Sequence, residues 1–302
     1  MLLLDDADQT IELAKRSLES AARWAGAQED PPPGELFLES LGVSDEQRAE
    51  AARLAASGAR PIDPAVSVLI GATNGIAYRH LVARLETYPI PEIRLPPGDG
   101  RTLLDVGCSW GRWSIAAARK GYRVVGIDPS LGALMAARRT SRQFGLDIDF
   151  VCADARFLPF PDDSFDVSYS YSVIQHFSKP AALQAFAEIA RVTLGHCLVQ
   201  MPNARGIRSL YHRARRGFSE GRGFEVRYWT IPELTAAFAP HFRTVDTSVH
   251  CFFGLGLEAS DAHLVSAPAR ILIRISESLR QRSAGFGALK RVADSVFVAA
   301  RK

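Results

Sequence analysis

The 302-residue sequence holds only four cysteines, Cys108, Cys152, Cys197 and Cys251, and no two of them form a C-x-x-C pair. Zinc and iron–sulfur sites are therefore not suggested. Three of the four lie in apolar, strand-like runs, the setting of reduced, packed thiols in a reducing compartment. No stretch approaches the roughly 18 consecutive apolar residues of a membrane span. The opening MLLLDDADQT has acids where a signal peptide carries basic residues. An excess of charge is missing too. The formal net charge is +3 and the isoelectric point about 8.7, short of the clustered basicity, with values above roughly 9, that marks nucleic-acid binders. Repeats and low-complexity segments are absent. These gaps predict a cytoplasmic protein without a membrane span, for which nucleic acid is not the expected partner.

What is present reads as an ordinary globular chain, 47% apolar and 23% charged. Apolar residues recur at helical spacing over 8–28, and Ser44 with Gln47 caps a second expected helix ending near Gly58. A third is expected over 66–88, broken at Asn74-Gly75. The stretch PIPEIRLPPGDG, 89–100, has four prolines and two glycines in twelve residues and marks a boundary. Residues 1–95 are expected to form a helical extension or cap. Residues 96–302 are expected to form the main domain, with a basic insertion at about 203–229.

From residue 101 short β-branched runs alternate with helical segments. TLLDV, YRVVGID, IDFVCAD, FDVSYSYS and HCLVQM read as strands. Helices are expected over 110–120, 131–144 and 180–194, the last ended by Gly195. Later come a helix capped by Thr230 and Glu233, strands in FRTVDTSVHCFFGLGL and VADSVFVAARK, and a helix over 264–283. The alternation predicts a doubly wound α/β fold with a mostly parallel sheet.

In such sheets ligands bind beyond the carboxyl ends of the strands. The first strand ends in Asp105-Val106-Gly107-Cys108-Ser109-Trp110-Gly111, where Gly107 and Gly111 clear side chains from a helix N-terminus. A dinucleotide fingerprint would need glycine at 109 and 112, where Ser109 and Arg112 stand. The second strand ends in Asp128, placed to accept ribose hydroxyls, with Pro129 following. The third ends near Asp154 and Ala155, and the fourth in Tyr169, Ser170, Tyr171, Gln175 and His176.

Taken together, LLDVGCSWGRWS, VVGIDPS, CADARFLPFPDDSFD and YSVIQHF resemble the successive motifs of class I S-adenosylmethionine-dependent methyltransferases, over about residues 101–202. The resemblance implies a seven-stranded sheet with the last strand antiparallel, S-adenosylmethionine as cofactor and S-adenosylhomocysteine as product. It implies that Asp105, Gly107, Cys108, Ser109 and Gly111 surround the methionine portion. Asp128 and Pro129 would meet the ribose, Asp154 and Ala155 the adenine, and the Ser170 backbone the amino group. Ser109 departs from the pattern, since many members have a second glycine there.

Near the methyl group, His176 reads either as a base for a hydroxyl acceptor or as packing behind the cofactor, with Tyr171 and Gln175 beside it. Relatives that hold a divalent metal have E-x-x-E-H at this place. The carboxylates are missing here, so no metal is expected. The segment 203–222 carries six arginines. Arg208, Tyr211 and Arg215 read either as an anion site for the acceptor or as a solvated helix with Leu210 and Tyr211 facing inward. Tyr78 or Arg79, in the third expected helix, is expected to reach the cofactor. Cys251-Phe252-Phe253 reads as strand core. The expected acceptor is a small natural-product or sugar-type metabolite methylated on oxygen, and the expected assembly a monomer or homodimer. Methylation of RNA or protein through the arginine segment, and a non-catalytic cofactor-binding protein, are the competing readings.

Overall fold

The computed structural model describes residues 62, 66, 69–71, 74, 78, 85, 87–215, 226–254 and 258–302. The helices expected over 8–28 and 44–58, and residues Arg79, Arg216 and Arg222, lie outside these residues. Seven strands form one sheet: β1 (Thr102–Val106), β2 (Arg123–Asp128), β3 (Asp149–Cys152), β4 (Phe165–Tyr171), β5 (Thr193–Pro202), β6 (Thr244–Cys251) and β7 (Ser295–Arg301). Their order is β3-β2-β1-β4-β5-β7-β6. The β1/β4, β2/β3 and β4/β5 pairs are parallel, and β7 runs antiparallel to both neighbours. This is the doubly wound, mostly parallel sheet that the strand–helix alternation predicts. The order reverses between β1 and β4, the position where open α/β sheets bind ligands.

The chain divides into two compact units. One comprises 1–100 with 107–154, and the other 101–106 with 155–302. In the first, α1 (Arg112–Arg119) follows the loop after β1, and α2 (Leu131–Gln143) follows β2. Ser130 caps α2 by accepting from the Ala133 amide. Trp110 is fully buried, and its indole N–H donates to Asn74 at 3.1 Å. Arg112 is buried as well, donating to the Tyr78 hydroxyl at 2.7 Å and to the Pro89 carbonyl at 3.0 Å. The hydroxyl of Tyr78 is thus engaged by Arg112, and the residue is wholly buried. Its ring and hydroxyl belong to the buried packing of this unit.

The second unit contains α3 (Lys179–Val192), α4 (Ile207–Arg215), α5 (Ile231–Phe238), α6 (Ala267–Arg282) and α7 (Gly287–Val292). Thr230 and Glu233 form the reciprocal cap of α5 that their spacing predicts. Phe186 of α3 and Phe238 of α5 are buried with ring centroids 4.5 Å apart. Arg191 holds the loop before β4 by donating to the Leu158 and Phe160 carbonyls and to Asp162, while Glu188 accepts from its guanidinium. The helix 264–283 is shorter than expected, and α7 was not foreseen.

Gly195 does not end α3. The helix stops at Val192, and Gly195 lies inside β5, where a Cβ would sit 2.5 Å from the Asp166 carbonyl oxygen. The glycine is demanded by close strand approach, not by a helix terminus. Gly195→Ala is expected to destabilise the fold by about 1–3 kcal/mol, as overpacking against backbone does. Gly287→Ala, where a Cβ meets nothing within 4 Å, is expected to change stability by less than about 0.5 kcal/mol. Denaturant unfolding of both variants checks the contrast.

Candidate functional site

In the first unit the loop after β1 is shaped by internal bonding. The Gly107 and Cys108 amides both donate to the Ile127 carbonyl at 2.8 Å, and the Gly111 amide donates to the Cys108 carbonyl. These amides hold the loop against the end of β2. Gly107 and Gly111 have φ of 78° and 83°. A Cβ on Gly111 would press on Ala137 at 3.2 Å. Ser109 also has positive φ, 49°. The chain therefore keeps the left-handed turn that a second glycine would favour, with a serine in its place. The Cys108 side chain packs toward β2, where Gly126 leaves room: a Cβ there would lie 2.9 Å from the Cys108 sulfur.

Asp128, at the end of β2, is the polar centre of this unit. Its Oδ2 accepts from the Ser109 amide at 3.0 Å and its Oδ1 from the Ser130 amide at 2.9 Å. Each carboxylate oxygen retains a second lone pair, enough to accept ribose hydroxyls. Burial pushes Asp128 up to about 6, with the two amides pulling the other way. Pro129 follows on the same turn, and its carbonyl accepts from the Cys152 thiol at 3.5 Å. Cys152 is exposed, so it is not the packed thiol its strand suggested. Cys108 and Cys197 are buried, and burial pushes Cys197 up to about 12. Asp154, at the end of this unit, is buried.

In the second unit Asp105 is buried on β1, in register with Tyr169 of β4. Ser170 is buried and donates its hydroxyl to the Val106 carbonyl at 3.1 Å. Ala155 is buried beyond β3. Gln175 and His176 form a 3-10 turn (Ile174–His176). Gln175 Nε2 lies 2.7 Å from Ser172 Oγ and 3.2 Å from His176 Nε2. The amide donates, so Nε2 of His176 accepts and the ring proton sits on Nδ1. The Arg227 amide donates to the Gln175 carbonyl, and its guanidinium to the His176 carbonyl. Residue 227 thus fastens the turn.

Tyr171 engages a different set. Its hydroxyl donates to Glu258 at 2.6 Å and lies 3.3 Å from His250 Nε2. His250 Nε2 is 2.8 Å from the same Glu258 oxygen, and Nδ1 is 2.7 Å from Ser295 Oγ. His250 and Glu258 are both buried. Burial opposes charge on the imidazole, but the adjoining Cys251 sulfur and Glu258 carboxylate outweigh it and push His250 up to about 9. The sequence reading missed His250, Glu258 and Ser295. A histidine closing the β6 run TVDTSVHC was a usable signal, because β6 runs parallel to β4 through the antiparallel β7 and ends at the same edge.

The arginine segment serves the fold where it is described. Arg208 donates to the Phe253 carbonyl at 3.0 Å and to His212 at 3.1 Å, and Arg213 to the Ala204 carbonyl. Leu210 and Tyr211 are exposed and Ser209 is buried, so α4 turns the opposite face inward from the one expected. Arg215 lies over the Tyr211 ring, 5.8 Å from its centroid. Phe252 is core, packed with Val249 and Ala293. Among the described residues no cluster of histidine, cysteine and acids could hold a metal ion, and no helix is long and apolar enough to cross a membrane.

The strand order and the glycine loop after β1 define a doubly wound α/β domain. Residues 103–194 match the family described as methyltransferase domain. Curated relatives include a ubiquinone biosynthesis O-methyltransferase of Ruegeria pomeroyi, 39% identical over 84 residues, 28% of this chain and 34% of that one. An uncharacterized methyltransferase of Mycobacterium avium is 41% identical over 95 residues, 31% of this chain and 36% of that one. The chain thus spans about a third of the length of these relatives. Similar solved structures include magnesium protoporphyrin IX methyltransferase from Synechocystis, 13% identical over 97% of both chains with a TM-score of 0.48. Another is an S-adenosylmethionine dependent methyltransferase from Mesorhizobium loti, 17% identical over 69% of this chain and 94% of that one, TM-score 0.46.

The raised Asp128 carboxyl has a stability consequence. Its folded value of about 6 exceeds the ordinary aspartate value of 3.8, so between these values the folded state keeps a proton that the unfolded chain has lost. Stability is then full below about 4 and falls as pH rises toward 6, by up to roughly 3 kcal/mol. Urea unfolding across pH 4–7 is expected to show this step in the ligand-free protein and to lose it in Asp128→Ala.

Proposed function

We propose that the chain as a whole transfers a methyl group from S-adenosylmethionine to a hydroxyl of a small-molecule acceptor, a natural-product or sugar-type metabolite. The observation that carries the reading is the Asp128 carboxylate at the end of β2, joined to the left-handed Ser109–Gly111 turn. A dinucleotide reading lacks its glycines at 109 and 112. In this reading Asp105, Gly107, Cys108, Ser109 and Gly111 hold the methionine portion and Asp128 with Pro129 the ribose. Asp154 and Ala155 take the adenine, and the Ser170 backbone takes the amino group. When bound, the donor would supply an electrophilic methyl on a sulfonium; the acceptor oxygen would form the new C–O bond, the C–S bonding pair would stay on sulfur, and the hydroxyl proton would pass to water.

The residues of the chain then have positioning work more than acid–base work, because in-line displacement depends mainly on a held nucleophile and excluded water. His176, Tyr171 and Gln175 are the polar groups proposed near the acceptor. Because Gln175 bonds His176 Nε2 and Arg227 fixes the turn, His176 is better suited to shape the wall than to take a proton. Relatives named for ubiquinone biosynthesis O-methylation support a small acceptor and oxygen as the methylated atom. Arg208, Tyr211 and Arg215 are proposed on the acceptor side. Arg208 and Arg213 already donate to backbone, which disfavours a phosphate-binding surface. A cytoplasmic location, a monomeric or homodimeric state, and a cap formed by residues 1–95 over a domain of 96–302 complete the reading.

Calorimetric titration separates the alternatives. S-adenosylhomocysteine is expected to bind and NADH not to bind. Asp128→Ala is expected to weaken S-adenosylhomocysteine by about 1.5–3 kcal/mol, the loss of charged hydrogen bonds. NADH binding without an S-adenosylhomocysteine signal would overturn the proposal.

A further inference from the structure

A polar cluster at the carboxyl edge of the sheet shares only Tyr171 with the motif residues. Tyr171 ends β4, Gln200 lies near the end of β5, His250 near the end of β6, and Ser295 begins the antiparallel β7. The register sets Tyr171 beside Gln200, Gln200 beside Phe297, and Cys251 beside Ser295. Side chains opposite one another in register share a face of the sheet. The rings confirm the grouping: Tyr171 and His250 are 5.3 Å apart, and both pack on Phe297, at 6.3 and 5.1 Å.

Within this cluster one polar atom is not accounted for by the fold. Gln200 is 6% exposed, and among the described residues nothing donates to its Oε1. A buried amide oxygen without a donor costs about 1–3 kcal/mol. Its neighbours are satisfied: Tyr171 donates to Glu258, and His250 spans Glu258 and Ser295. The local demand is therefore for a donor. An anionic ligand would meet the Glu258 carboxylate, and a cationic one would meet the imidazole paired with it. A neutral hydroxyl has one proton to give, which the amide oxygen can accept, and a flat ring suits the aromatic wall.

We propose that Gln200 and Tyr171, the latter held by the His250–Glu258 pair, form the subsite that receives an uncharged ring hydroxyl of the methyl acceptor. Gln200 Oε1 accepts from that hydroxyl, Tyr171 Oη lies beside it, and His250 and Glu258 are positioning residues that act through Tyr171. The proposal rests on the methyltransferase reading for the word acceptor, but the subsite is defined by its own residues.

Phenol and its methyl ether anisole are the probes, since they share a ring and differ in the donor. Both are titrated into the full chain by NMR, with and without saturating S-adenosylhomocysteine. Phenol is expected to bind the wild type at least fivefold more tightly than anisole and to shift the His250 imidazole resonances, which anisole leaves in place. Gln200→Leu is expected to weaken phenol at least fivefold and to leave anisole unchanged. The wild-type His250 signals decide the matter independently if Gln200→Leu folds poorly. Equal binding of the two probes, absence of phenol binding, or phenol binding that leaves His250 unmoved and survives Gln200→Leu overturns the subsite. Failure of S-adenosylhomocysteine to bind counts against the methyltransferase reading alone, because the phenol arm is also run without it.

Discussion

The carboxylate of Asp128, taken from two sides by backbone amides, is the interaction on which the first compact unit depends. One oxygen fixes the Ser109 amide in the left-handed turn after β1, and the other fixes the Ser130 amide at the start of α2. A single side chain therefore sets the loop, the strand end and the next helix cap. The arrangement keeps a carboxyl group in a setting that resists its charge. Such stored cost is common where a protein maintains a group for a ligand rather than for its own stability.

The loop itself follows from packing as much as from ligand approach. Cys108 fits because Gly126 has no side chain, and Gly111 is glycine both for its positive φ and for the nearness of Ala137. Amides that a reader of motifs would assign to a ligand are bonded to the Ile127 carbonyl. A glycine-rich turn at a strand end is thus first a folding device, on which binding chemistry is then built.

Much of the architecture was legible because strand ends and helix caps are local. Residues 230–233 announce their capping box, and four acidic or polar strand ends announce one edge of a sheet. The failures were non-local. Gly195 looked like a helix stop, yet its cause is the Asp166 carbonyl on the neighbouring strand. In α4 the apolar residues were assigned inward, but Asp294, far along the chain, bonds the Arg208 and Ser209 amides and turns Ser209 to the interior. His250 and Glu258 went unnoticed because their partner Tyr171 is 79 and 87 residues away. No spacing rule connects them.

The antiparallel β7 explains why such a cluster exists at all. A strand inserted in reverse between β5 and β6 brings its first residue, Ser295, to the edge where the parallel strands finish. The edge then gains a hydroxyl from a strand start beside the histidine of a strand end. The result is a polar group assembled from β4, β6, β7 and the segment after β6, each contributing one member. The parallel half of the sheet carries the glycine loop and Asp128, and the antiparallel half adds a second, chemically different set. Gln200 belongs to that second set by register, and its unsatisfied oxygen is the place where the set asks for something the chain does not supply.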